Sequence, residues 1–207
     1  TVVEADEIIV LEHGGIAERG THGELLKQRG LYAAMWNRQR EADEAVRVLK
    51  EGGIILYPTD TVWGLGCDAT NAEAVERIYK LKRSENKKSM LVLCASADMV
   101  VRYVNRAPGI AFEVMELATS PLTAILPGAV GVAGNLIPEE GTLGVRIPDH
   151  AISQALLAGF GGPLLSSTFI RPGNEEPESS RWEIEYSLGP PIHAAIEGPF
   201  FTATATT

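Results

Sequence analysis

The distribution of apolar and polar residues along the chain predicts strands that alternate with amphipathic helices. Short apolar runs at 54–57 and 90–94 are typical of strands that are buried on both faces. Apolar residues at three- and four-residue spacing over 71–82 indicate a helix, and Asn71 is placed to cap its first turn. Because helices and strands continue to alternate up to 163–167, we predict an α/β fold with a mixed sheet and helices packed around it.

The first forty residues have a separate pattern. An apolar strand at 8–11, a glycine turn and a returning strand predict a hairpin, and a helix is predicted to follow it. The motif "ADEIIVLEHGGIAERGTHGELLKQRGLYAAMWNRQ" resembles the C-terminal end of an ABC-transporter ATPase domain. The chain has no Gly-x-x-x-x-Gly-Lys-Ser/Thr phosphate loop. We therefore expect residues 1–40 to be a non-functional appendage and residues 41–207 to form the main domain.

Composition narrows the functional classes. Eighteen basic and 27 acidic residues give a net charge of −9, which disfavours a protein that coats nucleic acid broadly. No apolar run approaches the roughly 18 residues of a membrane span. Cys67 and Cys94 match neither a disulfide framework nor a metal motif, and the four histidines are scattered, so we expect no metal site. These features predict a cytoplasmic protein without a membrane partner.

The motif "YPTDTVWGLGCDA" at 57–69 is the first candidate for chemistry. It follows a predicted buried strand, and ligands of open α/β sheets bind beyond the carboxyl ends of strands. Thr59 and Thr61 offer hydroxyl groups there, and the two glycines would let the backbone approach a ligand closely. The alternative is an ordinary turn after a strand, with Trp63 buried.

A run of cations follows in the next helix and loop. Basic side chains at a helix C-terminus need no ligand to explain them, because their positive charge interacts favourably with the negative end of the helix dipole. Here the run leads into a buried strand, which makes a clamp for a triphosphate the second interpretation. The run consists of Arg77, Lys80, Lys82, Arg83, Lys87 and Lys88.

Three later motifs place polar groups at strand ends. They read "SPLTAILPG", "TLGVRIPDH" and "PLLSSTF". Arg146 lies in a strand that is otherwise apolar, so it needs a partner if it is buried. That partner would be an acid such as Asp149, or a bound carboxylate or phosphate. The hydroxyl groups of the other two motifs belong to Ser120, Thr123, Ser166 and Thr168.

In their order and spacing, "YPTDTVWGLGCDA", "PLTAILPG" and "GVRIPDH" resemble the YrdC/YciO family from about residue 41 onwards. The resemblance implies a twisted α/β sheet with a large, positively charged concave face. It also implies a threonylcarbamoyl-AMP synthase, a nucleotidyltransferase that forms an adenylate from L-threonine, bicarbonate and ATP and releases pyrophosphate. ATP would be a substrate with Mg²⁺ on its phosphates. The product would serve a downstream transferase that makes threonylcarbamoyladenosine in tRNA.

The resemblance also implies roles for individual residues. Lys82 and Arg83 would position the triphosphate. Ser120 and Thr123 would contact nucleotide or threonine, and Arg146 would hold the threonine carboxylate or a phosphate. The full nucleotide set would be Lys82, Arg83, Lys88, Ser120, Ser166 and Thr168, and the threonine set would be Thr59, Thr61, Thr123 and Arg146.

Two motifs differ from those of the synthases. Lys82-Arg83-Ser84 stands where the synthases have Lys-x-Arg, and Ser166-Ser167-Thr168 stands where they have Ser-x-Asn. The later motif is closer to the YciO branch. Both differences favour the alternative, a non-catalytic protein of this fold that binds nucleotide or double-stranded RNA, tRNA included. The family continues past a Thr-Thr pair into another strand, which we expect this chain to lack after residue 207.

Overall fold

The computed structural model describes residues 2–82, 90–168 and 194–195. The chain divides into two compact units, Thr1–Glu41 and Ala42–Thr207, and each is described by itself. Among the residues described, no helix is long and apolar enough to cross a membrane.

The first unit is a hairpin followed by helices. Its small core contains Val10, Leu25 and Tyr32. The carboxylate of Glu18 accepts hydrogen bonds from the backbone N–H groups of Leu31 at 2.5 Å and Tyr32 at 2.9 Å, so it satisfies the first turn of a helix. The elements are a 3-10 helix at Val2–Glu4, β1 (Ile8–Glu12), β2 (Gly15–Gly20), α1 (His22–Gln28) and the start of α2 (Leu31–Lys50).

The described strands of the second unit are β3 (Ile55–Pro58), β4 (Trp63–Asp68), β5 (Leu91–Leu93), β6 (Ala124–Pro127), β7 (Thr142–Arg146), β8 (Leu164–Thr168) and β9 (Ala194–Ala195). They form one mixed sheet with the order β6-β7-β5-β8-β4-β3-β9. The predicted α/β fold class is confirmed. The helices after α2 are α3 (Ala72–Lys82), α4 (Ala97–Val100), α5 (Gly109–Leu117) and α6 (Ala151–Phe160), with a 3-10 turn at Gly134–Leu136.

The sheet has a separate core on each face. On the face that we call the α6 face, Leu164 packs with buried residues of α2, α6 and β3. On the face that we call the α3 face, Leu165 packs with buried residues of α3, β4 and β7. Each fully buried leucine or isoleucine stabilises the fold by about 1.5–3 kcal/mol. Because side chains alternate along a strand, these two leucines fix the face of every other residue of β8.

Helix α3 begins as its sequence predicts. The side-chain oxygen of Asn71 accepts hydrogen bonds from the N–H groups of Glu73 at 3.0 Å and Ala74 at 3.1 Å, which confirms the predicted cap. Two members of the cation run have partners outside the candidate site. Arg77 donates to the carbonyl of Gly52, and exposed Lys80 forms an ion pair with Glu76 at 3.7 Å.

Strand β4 was not predicted, because the sequence analysis treated the residues after Pro58 as a loop. The chain turns over four residues and returns antiparallel to β3, with Tyr57 opposite Gly64. A Cβ atom on Gly66 would lie 2.7 Å from the ring of Tyr57. The glycine therefore makes room for a fully buried tyrosine ring. A glycine-rich sequence normally indicates a turn, but here the glycines belong to an interior strand, and the Tyr57 ring packs over them.

Candidate functional site

Arg146 is the centre of the best-defined polar cluster. At the end of β7, its Nε and Nη2 atoms donate to Thr123 Oγ1 at 3.0 and 2.8 Å. Its Nη1 atom donates to Asp60 Oδ1 at 3.2 Å. The side chains of Arg146 and Asp60 are only 16% and 9% exposed, so water screens their charges poorly. Within the described residues, three of the five N–H groups of Arg146 have partners, which leaves two for a ligand.

The partner of Arg146 was not the acid that the sequence suggested. We expected an acid such as Asp149, which is near in sequence, whereas the structure pairs Arg146 with Asp60 from the turn between β3 and β4. Asp149 itself is exposed. Eighty-six residues separate the paired acid and base, so no spacing rule could have joined them.

A cavity of about 170 Å³ lies beside this ion pair. Its volume is below the range of pockets that enclose drug-sized ligands, so it suits a small molecule or one part of a larger one. Asp60 connects the cavity to Arg146, and Ser120 supplies a hydroxyl group to its wall. The remaining lining combines apolar and polar groups from Met115, Ala118, Thr119, Pro121, Leu122, Ile147, Asp149 and His150.

The two threonines of the β3–β4 turn have different roles. Thr59 Oγ1 donates to the carbonyl of Val62 at 2.7 Å and accepts from the N–H groups of Thr61 and Val62 at 3.2 Å. Its hydroxyl therefore shapes the turn. Since its only proton goes to Val62, Thr61 must be the donor in the 3.2 Å contact between the two hydroxyls. Thr61 is exposed and keeps lone pairs that can accept from a ligand.

Ser166 lies on the α6 face and accepts a hydrogen bond from the hydroxyl of Tyr57 at 2.8 Å. Both groups are buried, and burial raises the pKa of Tyr57, so the phenol stays protonated and acts as the donor. Thr168 is half-buried at the end of the same strand, opposite Gly64. Tyr57, whose fixed hydroxyl orients Ser166, was not predicted as a site residue.

Lys82 lies on the other side of β8. Its ammonium donates to Ser167, whose side chain projects from the α3 face together with Leu165. Burial lowers the pKa of Lys82, because the charged form is partly removed from water. Arg83 and Lys88, the other predicted phosphate ligands, lie outside the described residues. The structure thus gathers Thr59, Thr61, Ser120, Thr123, Arg146 and Ser166 around the α6 face and the cavity, and it places the Lys82 ammonium against the opposite face.

His150 is a further cavity residue that the sequence analysis did not choose. It is buried at the position before the first turn of α6, and its Nδ1 lies 3.4 Å from the hydroxyl of Ser153. Burial lowers its pKa, an effect that the nearby carboxylates of Asp60 and Asp149 oppose. Its position directly after Asp149 in the motif of Arg146 was the available signal.

Taken as chemistry, the cluster offers a guanidinium with a fixed orientation and neighbouring hydroxyls beside a small cavity. The wall of that cavity contains the Asp60 carboxylate and the His150 imidazole, whose pKa burial lowers. A guanidinium in this setting recognises a carboxylate or a phosphate. The hydroxyls can orient a polar ligand, and the apolar wall can contact a short aliphatic group.

Comparison with known proteins assigns the chain to a family. The family model for Sua5, YciO and YrdC proteins, described as "Telomere recombination", matches residues 47–206. YciO of Escherichia coli K12 is 33% identical over 172 residues, which cover 82% of this chain and 83% of that protein. The threonylcarbamoyl-AMP synthase of Halorhodospira halophila is 33% identical over 155 residues, covering 74% of this chain and 81% of the synthase.

Solved structures support the same assignment. The crystal structure of E. coli YciO superposes with a TM-score of 0.70 at 32% identity and covers 78% of this chain and 79% of that chain. P. abyssi Sua5 in complex with L-threonine gives a TM-score of 0.69 at 24% identity over 77% of this chain and 47% of that chain, a likeness of fold. The chain belongs to the Sua5/YciO/YrdC family.

Proposed function

We propose that this protein is an L-threonylcarbamoyladenylate synthase. The amine of threonine combines with bicarbonate to form a carbamate and water, and a carbamate oxygen then attacks the α-phosphorus of ATP. The new P–O bond forms as pyrophosphate leaves. No group of the chain is covalently modified in this scheme, so its residues accelerate the reaction by orienting the reactants and neutralising charge.

The observation that carries the proposal is the Arg146 cluster. Two N–H groups of Arg146 remain for the threonine carboxylate, while Thr123 and Asp60 hold the guanidinium in place. Thr61 and Ser120 would contact the polar groups of threonine, and the apolar side of the cavity would accept its methyl group. Relatives named threonylcarbamoyl-AMP synthase and a Sua5 structure that contains L-threonine support the choice of substrate.

In the proposed reaction, Lys82, Arg83 and Lys88 neutralise the phosphates, and Ser166 and Thr168 contact the nucleotide. Because Lys82 lies on the α3 face and Ser166 on the α6 face, the phosphates of a nucleotide that contacts both would have to cross the end of β8 next to Thr168. Mg²⁺ would accompany ATP. Within the described residues no group of three acidic, histidine or cysteine side chains could hold a metal ion, and Mg²⁺ in such sites is bound largely by the substrate phosphates and water.

The test is pyrophosphate release from ATP, with threonine and bicarbonate each left out in turn. We expect release only when both are present, together with a product of the mass of threonylcarbamoyl-AMP. Thr123→Val should lower kcat/KM for threonine by about tenfold or more, because Arg146 loses the acceptor of two hydrogen bonds. Thr70→Val is the matched control, since the hydroxyl of Thr70 donates to Asp68 in a turn outside the cluster. Release that ignores threonine or bicarbonate would contradict the proposal.

A second function, non-catalytic binding of nucleotide or double-stranded RNA, is favoured by the changed motifs at Lys82-Arg83-Ser84 and Ser166-Ser167-Thr168. If RNA such as tRNA is bound through phosphate contacts, affinity should fall steeply with salt. Replacing Lys82, Arg83 and Lys88 by serine should then flatten that dependence. For the synthase, the product would instead pass to a tRNA-modifying transferase, whose addition should increase the turnover of threonine.

A further inference from the structure

The charges around the cavity are unusual for a site that binds a carboxylate. Asp60 already occupies Nη1 of Arg146 at 3.2 Å, and Asp149 and the buried His150 complete the ionisable lining. Arg146 and Asp60 cancel each other. Within the described residues, His150 is uncharged because burial lowers its pKa, and Asp149 is charged, so the cavity lining has no surplus positive charge for an anion. A ligand that brought only a carboxylate would place a second negative charge on a guanidinium that has already been neutralised.

We propose that Asp60 is the residue that makes this cavity select an α-amino acid over the same acid without its amine. The inference rests on the proposed function and adds to it a specificity-determining residue. The ligand carboxylate takes the two remaining N–H groups of Arg146, and the ligand ammonium lies against the carboxylate of Asp60. A zwitterion thus adds no net charge to the buried pair, whereas a hydroxy acid adds one.

The position of Asp60 gives this preference its strength. The Asp60 side chain is only 9% exposed, so neither water nor salt can replace an ammonium group beside it efficiently. Asp149 lines the same cavity but is exposed, and its charge is screened. The Thr59 hydrogen bonds to Thr61 and Val62 close the turn on either side of Asp60, which fixes the carboxylate between Arg146 and the cavity. The two acids therefore form a natural pair for comparison.

The experiment measures the dissociation constants of L-threonine and of 2,3-dihydroxybutanoate, in which a hydroxyl replaces the amine, by calorimetry with the full chain. The wild-type protein should prefer threonine by about tenfold or more, the ratio expected for a charge-assisted hydrogen bond. Asp60→Asn should reduce that preference by about tenfold. Asp149→Asn makes the same charge change at the exposed rim of the cavity and should alter it less than about threefold.

Folding is controlled by thermal unfolding of each variant and by Asp60→Glu, which retains the carboxylate and should retain the preference for threonine. A preference that is unchanged in Asp60→Asn, or lowered equally in Asp149→Asn, would overturn the inference while the synthase proposal stands. Binding of threonine to neither the wild-type protein nor any variant would overturn both. Loss of threonine binding in Asp60→Asn, with dihydroxybutanoate bound as in the wild type, supports the inference.

Discussion

The two neighbouring serines of β8 show how differently the two faces of the sheet treat a polar group. On the α6 face, Ser166 accepts from the buried hydroxyl of Tyr57, and Arg146 nearby is held by a carboxylate and a threonine. On the α3 face, Ser167 accepts from Lys82, and within the described part of the chain this ammonium has no carboxylate partner. Among the residues that the structure describes, the first cation has an internal counter-charge, whereas the second is partly desolvated and has none.

This difference distinguishes a cation that contributes to the stability of the fold from a cation that serves ligand binding. A half-buried cation with an internal counter-ion stabilises the fold only as long as both partners are present. A half-buried cation without one disfavours the folded state slightly, and such groups persist where a ligand supplies the missing charge. We therefore expect the Arg146 pair to act in folding and binding, and Lys82 to act in binding alone.

The largest effect should come from replacing the two cations in the same way. Arg146→Met leaves the Asp60 carboxylate shielded and unpaired, and we expect it to lower the free energy of unfolding by about 3 kcal/mol. Lys82→Met removes a desolvated charge and should leave stability unchanged or raise it by up to about 1 kcal/mol. Urea denaturation of both variants measures the difference. Equal losses would show that the two faces do not differ in this respect.

The next effect concerns the close packing of the α6 face. Gly66→Ala would place a methyl group 2.7 Å from the Tyr57 ring, and because that ring is fully buried it cannot move into solvent. We expect a loss of about 2 kcal/mol in unfolding free energy, typical of overpacking. Gly134→Ala is the matched control, since a Cβ there meets nothing within 4 Å. If Gly66→Ala were as stable as the control, the ring would have to be less fixed than the structure shows.

Much of this fold could be predicted from the sequence because its signals are local. The apolar run before Pro58 predicts β3, and Asn71 with the apolar spacing after it predicts α3. Strand β4 was missed for a physical reason. Gly64 and Gly66 weaken the local strand signal, and what favours the strand is the ring of Tyr57, which reaches them across the β3–β4 turn.

The site was less predictable than the fold. The strand position of Arg146 did predict that it needs a partner, but the choice of Asp60 over Asp149 depends on a turn that folds back over the sheet. Alternation predicts that Ser166 and Ser167 face opposite ways. Alternation does not predict which face of the sheet α3 covers. That face determines the position of Lys82, because Lys82 is the last residue of α3. The hydroxyl of Thr59 likewise serves its own turn, a role that its residue type leaves open.

We expect a smaller change in stability when a single hydrogen bond is removed on each face of the sheet. Tyr57→Phe removes the buried donor to Ser166 and should cost about 1 kcal/mol of stability. Ser167→Ala on the α3 face removes an acceptor from Lys82, which can turn its flexible ammonium towards water, so we expect about half that loss or less. Thermal unfolding of the two variants side by side checks the order. A larger loss of stability for Ser167→Ala than for Tyr57→Phe would mean that Ser167 holds the Lys82 ammonium in a fixed position.

The smallest effect is a dependence of stability on pH that arises from His150, near the ion pair of Arg146 and Asp60. His150 is buried beside Asp60 and Asp149, and burial lowers its pKa below the ordinary 6.5 of the unfolded chain. The folded state therefore binds fewer protons, so its stability is complete above about pH 6.5 and declines as the pH falls below that value. His150→Asn places a polar side chain without a titrating group at the same N-cap position and should lose less stability than the wild type between pH 7.5 and 5.5 in urea denaturation. Asp60→Asn removes a carboxylate that favours the protonated imidazole, so it should steepen the decline. A shallower decline in Asp60→Asn would mean that the ion pair with Arg146, rather than His150, sets the response to pH on this side of the sheet.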